Sequence, residues 1–250
     1  MMPIPAEVLL LVALVGLYLY DSARLLHANE GVLTASLAGR WSLHFGAQHF
    51  TLRGKEPFVP HPLLPHRPLF PFHWNQQLAS GASGTAARWT PPPFGPYKVL
   101  APLVWLMALA LFGLIPLGLF SRFGNVAIAA GIVLFYAVAL VALGFTWFRR
   151  HALALTSRQV GALAFESLTC PPFAINLARH ISWHAQAQEE LISAGRRLLR
   201  SDDWNSTLPI VLQRLDHAIS WEAEGTARAQ ALAAYHAALN QELAACPPTK

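Results

Sequence analysis

The sequence predicts a membrane α-helical protein: three transmembrane helices, the last two a hairpin, with a small β-meander in the loop before that hairpin and a cytoplasmic helical bundle at the C-terminus. Three observations carry this expectation. Two apolar runs, VLAPLVWLMALALFGLIPLGLF and VAIAAGIVLFYAVALVALGFTWF, contain no charge and are joined by only five residues, SRFGN. Each matches the roughly 20 apolar residues that a bilayer core demands. The whole chain of 250 residues is 54% hydrophobic and 12% charged, about half the charged fraction of a soluble domain. A soluble helix wets one face, so runs apolar on all sides are suited to lipid.

The first element is a third apolar run, Ile4 to Tyr20, interrupted early by Glu7. No Lys or Arg precedes it and no A-x-A site follows, which disfavours a signal peptide and leaves an uncleaved helix over residues 1–20. Tyr18 and Tyr20 then fall at an interface. Residues 21–97 form a loop of two parts. GVLTASLAGRWSLHFGAQHFTLRG alternates at Trp41, Leu43 and Phe45 and again at Phe50 and Leu52, with glycines between, the pattern of a three-stranded meander. EPFVPHPLLPHRPLFPFHWNQ is dominated by proline, so it is expected to be extended and to lie along another element. GASG is a flexible connector, and TPPPFGP stiffens the approach to the next helix.

The hairpin helices cover residues 98–120 and 125–148. Pro102, Pro116, Gly113 and Gly118 predict a bent or irregular second span. Ala127 and Gly131 stand at small-xxx-small spacing in the third, suited to close helix contact within the hairpin or in an oligomer. Residues 149–250 form the tail. A short helix is expected from Ser157 to Phe165, a longer one from Ala174 to Arg200 after the Cys170-Pro171-Pro172 break, SDDWNST as a connector and cap, and two further helices marked by Leu208, Val211, Leu212, Leu215 and Ile219 and by Leu232, Tyr235, Leu239 and Leu243.

Charge placement sets the expected orientation. Arg24, Arg40, Arg53, Lys55, Arg67, Arg88 and Lys98 lie in the loop and Arg149-Arg150 after the hairpin, against Arg122 alone in the turn. The positive-inside rule places the loop and tail in the cytoplasm and the N-terminus outside, in an inner (plasma) membrane. The tail carries ten basic and nine acidic residues, which gives no nucleic-acid surface.

Candidate chemistry is sparse. His180 and His184 are spaced one helical turn apart, at which two imidazoles can share a metal, but the glutamate of H-E-x-x-H is missing. His61, His66 and His73 punctuate the proline-rich run with only Glu56 nearby, and packing explains them better than ligation. Cys170, before a helix start, is a candidate reactive or acylated thiol; Cys170 and Cys246 make no disulfide framework. No histidine lies within a span, as an intramembrane haem would require. No catalytic residue, cofactor or metal site is assigned. The function expected is that of a non-catalytic accessory, anchoring or assembly protein that docks a cytoplasmic or membrane partner, or assembles with copies of itself, with lipid as its solvent. The alternative is a metal- or haem-handling redox membrane protein using His180, His184 and Cys170, and a weaker one is an enzyme acting on lipid at the interface.

Overall fold

The computed structural model describes residues 5–73, 89–185, 189–220 and 225–245. The connector at 81–84, Trp74, Trp221 and Cys246 lie outside the described residues. The protein is mostly helical, with two helices long and apolar enough to cross a membrane and a small antiparallel sheet. In chain order the elements are α1 (Ala6–Ser22), β1 (Arg24–Leu26), β2 (Glu30–Ala35), β3 (Trp41–His44), β4 (Glu56–Phe58), β5 (Leu69–His73), α2 (Phe94–Leu109), a π-helical turn (Ala110–Leu114), α3 (Ile115–Phe120), α4 (Gly124–Phe148), α5 (Ser157–Thr169), α6 (Pro171–Ile175), α7 (Leu177–Trp183), α8 (Leu191–Leu198), α9 (Ser201–Ser220) and α10 (Ala227–Ala245). They sort into two units. One comprises Met1–Arg24, Val59–Leu69 and Pro91–Ala185; the other Leu25–Phe58, Phe70–Thr90 and Gln186–Lys250. The loop and the tail therefore each contribute to both units.

In the first unit, α2, the π turn and α3 run on as one 27-residue rod, and α4 is a 25-residue rod. Pro116 has no N–H to offer the carbonyl of Phe112, and the backbone widens to π-helix in the turn just before it, which is where the bent span was expected. Tyr97, Leu100, Ala101, Val104, Met107 and Leu111 form the buried stripe of the first rod, and Gly131, Phe135, Val138, Ala139, Ala142, Leu143 and Thr146 that of the second. Gly131 packs within the hairpin: a Cβ there would lie 3.0 Å from Ile115 Cγ1 and 3.3 Å from the Ala110 carbonyl. The remaining faces stay apolar and uncovered. Only 28% and 33% of the most apolar windows of the two rods are buried.

Helix α1 has 17 residues, which is about 25 Å at 1.5 Å per residue. Its apolar face at Leu9, Leu10, Val12, Val15, Leu17 and Leu19 is exposed, while Tyr18 and Ser22 are buried. The helix expected from Ala174 to Arg200 is divided. Pro171 and Pro172 start α6, Asn176 ends it and begins α7, His184 caps α7, and α8 starts only at Leu191. Asn176 interrupts the run because its side chain is drawn into bonds with α1. Helix α5 runs on to Thr169, beyond the expected Phe165, and opens with a capping box between Thr156 and Gln159.

In the second unit, β2 and β3 pair in antiparallel register, Val32 with His44 through Ala35 with Trp41. The sheet order is β3-β2-β5, and β1 pairs with β4. The third strand of this sheet comes from the proline-rich run, not from Phe50 and Leu52. Pro71 is tolerated because β5 is an edge strand, where a missing N–H breaks no internal ladder. Phe50 and Leu52 occupy an exposed loop, where two alternating residues are too few to hold a strand. SDDWNST is not a connector but the start of α9: Asp202 and Asp203 suit the positive end of the helix dipole, and the Trp204 ring fills the space beside Gly195. Helices α8 and α10 pack against α9, so the tail's helices divide, α5–α7 in one unit and α8–α10 in the other.

Candidate functional site

The most concentrated polar chemistry among the described residues lies in the first unit, where the end of α1 meets α6 and α7. Backbone carbonyls at a helix C-terminus lack partners, and here side chains supply them. Arg24 folds back to donate to the carbonyls of Asp21 at 2.6 Å and Ala23 at 2.9 Å, and Ser22 Oγ donates to Tyr18 O at 2.8 Å. Asn176, at the α6–α7 hinge, donates to the Asp21 carboxylate at 2.8 Å. Arg179, on α7, is 1% exposed. One guanidinium nitrogen donates to Ser22 Oγ and Asn176 Oδ1, both at 2.9 Å. The other donates to the backbone carbonyls of His61 at 2.8 Å and Leu64 at 3.1 Å. A planar guanidinium is the side chain able to serve four acceptors in two directions. It therefore ties α1, α7 and the proline-rich strap to one point.

His180 lies beside Arg179, its ring stacked on Phe173 with centroids 3.7 Å apart. Its Nε2 meets Asp21 Oδ2 at 2.9 Å, and its Nδ1 faces an Arg24 guanidinium nitrogen at 3.1 Å. Arginine only donates, so Nδ1 accepts and the proton sits on Nε2, donated to Asp21. Burial lowers the His180 pKa, the adjacent Asp21 opposing it, and the ring is held neutral. Both ring nitrogens are engaged inside the fold. Among the described residues the imidazole's hydrogen bonds go to Asp21 and Arg24, not to a hydroxyl or thiol that it could activate as a nucleophile.

The other singled-out residues do not gather here. His184 is exposed at the end of α7, so a shared metal would require His180 to give up Asp21 or Arg24. Cys170 carries a free, half-buried thiol at the α5–α6 junction. His61 Nδ1 accepts from the Leu63 amide at 3.2 Å. His66 Nδ1 accepts from Trp105 Nε1 at 3.1 Å, and its pKa is lowered by burial, then by Arg67 and Arg179. His73 pairs with Glu30 at 3.2 Å. Among the described residues no three His, Cys, Asp or Glu side chains group to hold a metal ion. Sequence reasoning missed Asp21, Ser22, Asn176 and Arg179; the one available signal was a carboxylate and an arginine immediately after an apolar run.

Among the described residues of the second unit, two smaller ion pairs are set into the fold, one buried and one half-buried. Arg214 pairs with Glu56 at 2.7 Å. Arg197 pairs with Glu189, which also accepts the Trp89 amide at 3.0 Å, while Arg197 donates to Trp89 O at 2.8 Å. Trp89 is thereby held among Trp41, Phe70 and Phe72. No family model matches the chain, and no curated protein and no solved structure is detectably similar to it.

Proposed function

We propose that this chain is an integral membrane accessory protein, spanning the bilayer three times and presenting its loop and tail to a partner on the cytoplasmic side, without a catalytic centre of its own. The observation that carries the reading is the outward apolar surface of the two rods, including Val99, Leu109, Val126, Val133, Leu140 and Val141. A core helix of a soluble protein covers such side chains; a membrane helix leaves them to lipid. With α1 as a short first span, the end of α1, the start of α2 and the end of α4 share one side of the membrane. The Arg179 cluster supports that parity, since it joins the end of α1 to the strap and to α7, which follows α4. Both terminal nitrogens of Arg179 are paired with protein acceptors, its Nε being the donor left without a partner, and a guanidinium spent on the chain's own carbonyls favours a structural fastening over catalysis.

Two measurements test this. In a background with Cys170→Ser and Cys246→Ser, a membrane-impermeant maleimide is expected to label Arg122→Cys in intact cells and Arg53→Cys only after permeabilisation. The reverse pattern, or release of the chain from membranes by alkaline carbonate, overturns the reading. Affinity purification in mild detergent is expected to recover a stoichiometric partner; a monodisperse monomer alone removes the docking role.

A further inference from the structure

The loop between β3 and β4 is a second device, and it stands in the second unit. Its two legs are clamped at the base. The Ala47 amide donates to Pro57 O at 3.0 Å. Behind them Arg214 of α9, 4% exposed, donates to Gly46 O at 2.7 Å and pairs with Glu56. Its guanidinium lies over the Phe45 ring at 4.7 Å from the centroid. The legs touch closely enough that a Cβ on Gly46 would overlap Glu56 Cβ. At the tip, Leu52 and Lys55 exchange both backbone bonds, at 2.7 and 3.1 Å. The turn between them is Arg53-Gly54, with φ of 53° and 74°, the two positive values of a tight hairpin turn.

This ordered finger spends its apolar side chains on the outside. Phe50 is 61% exposed and Leu52 48%. Around them stand His49, Arg53 and Lys55, and residues 47–55 contain no carboxylate. The nearest acid in sequence, Glu56, is buried against Arg214. Two apolar side chains are too little surface for a stable protein interface, which needs on the order of 800 Å² per partner. They suit an interface that exacts no translational cost, one to which the chain is already tethered. The cations select its sign, because the cytoplasmic leaflet is negatively charged.

We propose that the hairpin from Gly46 to Pro57 is a membrane-surface anchor, Phe50 and Leu52 entering the headgroup region of an anionic leaflet while Arg53 and Lys55 contact lipid phosphates. The proposal rests on the reading of the chain as a membrane protein, and the experiment separates the two. The full chain, with Cys170→Ser and Cys246→Ser, is reconstituted into nanodiscs of phosphatidylcholine alone or mixed with phosphatidylglycerol. An environment-sensitive fluorophore is placed at Thr51→Cys and, in a separate sample, at Leu140→Cys on the outer face of α4. The α4 label is expected to be quenched by spin-labelled lipid in both compositions. The Thr51 label is expected to shift to the blue and be quenched in the anionic discs. Arg53→Glu with Lys55→Glu is expected to weaken that quenching at least about fivefold, the loss of one surface cation alone being worth about that. If the α4 label is quenched and the Thr51 label reads water in both compositions, the anchor is overturned and the spanning reading stands. If neither is quenched, both fall. Equal quenching of the Thr51 label in both compositions overturns the role of the cations, and a blue shift in lipid-free amphipol shows a second copy or a protein covering the tip instead.

Discussion

Replacing Arg179 by methionine removes the fastening of the first unit at little change in length and apolar bulk. Four hydrogen bonds from a charged donor are lost, and at about 1.5–3 kcal/mol each their simple sum exceeds what single substitutions cost. The structure shows why the true cost is smaller. Ser22 Oγ lies 3.2 Å from Asn176 Oδ1, so when the guanidinium is gone its one proton can turn to that oxygen from Tyr18 O, which Asn176 Nδ2 also reaches. The carbonyls of His61 and Leu64 keep their turn bonds from the amides of Leu64 and Arg67, at 3.1 and 3.2 Å, so each loses a second donor and not its last, at about 1 kcal/mol apiece. The expected loss is about 2 kcal/mol, or about 4–8 °C in melting temperature for a chain of this length. Melting is followed in detergent by reaction of Cys170 with a thiol-sensitive dye. Chymotryptic cleavage after Leu63, in the same strap, is expected to accelerate in parallel. Arg179→Lys keeps the charge but cannot serve acceptors on opposite sides, and is expected to recover about half of the loss. A methionine variant that melts within about 2 °C of the unmodified protein and is cut after Leu63 no faster refutes the fastening, and a lysine variant indistinguishable from arginine refutes the role of its planar geometry.

The remaining predictions concern the same packing at other points. Because burial lowers the pKa of His180 in the fold, the unfolded chain takes up a proton that the folded ring resists. Stability is therefore fully present above the ordinary histidine pKa of about 6.5 and falls as pH drops from there toward the folded value. Melting temperature between pH 8 and pH 5 is expected to show this decline, to show it less in His180→Gln, and to lose both contributions when His66, also lowered, is changed to Gln as well; a single variant with an unaltered profile contradicts the assignment. Gly118→Ala places a Cβ 2.8 Å from Ile128 N and 2.9 Å from Gly124 O, backbone atoms that cannot swing aside, and is expected to destabilise the hairpin by about 1–3 kcal/mol. Gly144→Ala meets nothing within 4 Å and is expected to be neutral or to gain up to about 1 kcal/mol; equal behaviour of the two in thermal melts is the failing result. Arg197→Ala leaves the buried Glu189 carboxylate without its cation, at a cost of about 3 kcal/mol. Its near-ultraviolet circular dichroism should change as Trp89 loses its hold; an unchanged spectrum and melt count against it.

What could be read from the chain depended on how local the cause was. The two rods were legible because apolar length is a property of consecutive residues, and the disturbance before Pro116 because a missing N–H acts on the preceding turn. The sheet was half legible. The β2–β3 hairpin is local, but its third strand is recruited across Phe50 and Leu52 from a run whose prolines argue against pairing, and only the edge position of β5 makes those prolines harmless. The Arg179 cluster was illegible for a different reason. Asp21 and His180 are 159 positions apart, and nothing in either neighbourhood specifies the other. His180 with His184 looked like a ligand pair because spacing on a helix was the only visible relation. The structure gives the first ring two partners from the end of α1 and leaves the second outside. The polar residues that follow α1 thus have a physical cause that pattern alone lacks. A helix that ends beside other backbone needs its last carbonyls satisfied, and Arg24 does so directly at Asp21, while Ser22 ties back to Tyr18 and Asn176, Arg179 and His180 arrive from the far side of the hairpin. The contacts that fix the end of α1 are therefore the same ones that bring the start of the loop and the start of the tail together. Any substitution that frees one of them should loosen the strap before it affects either long rod.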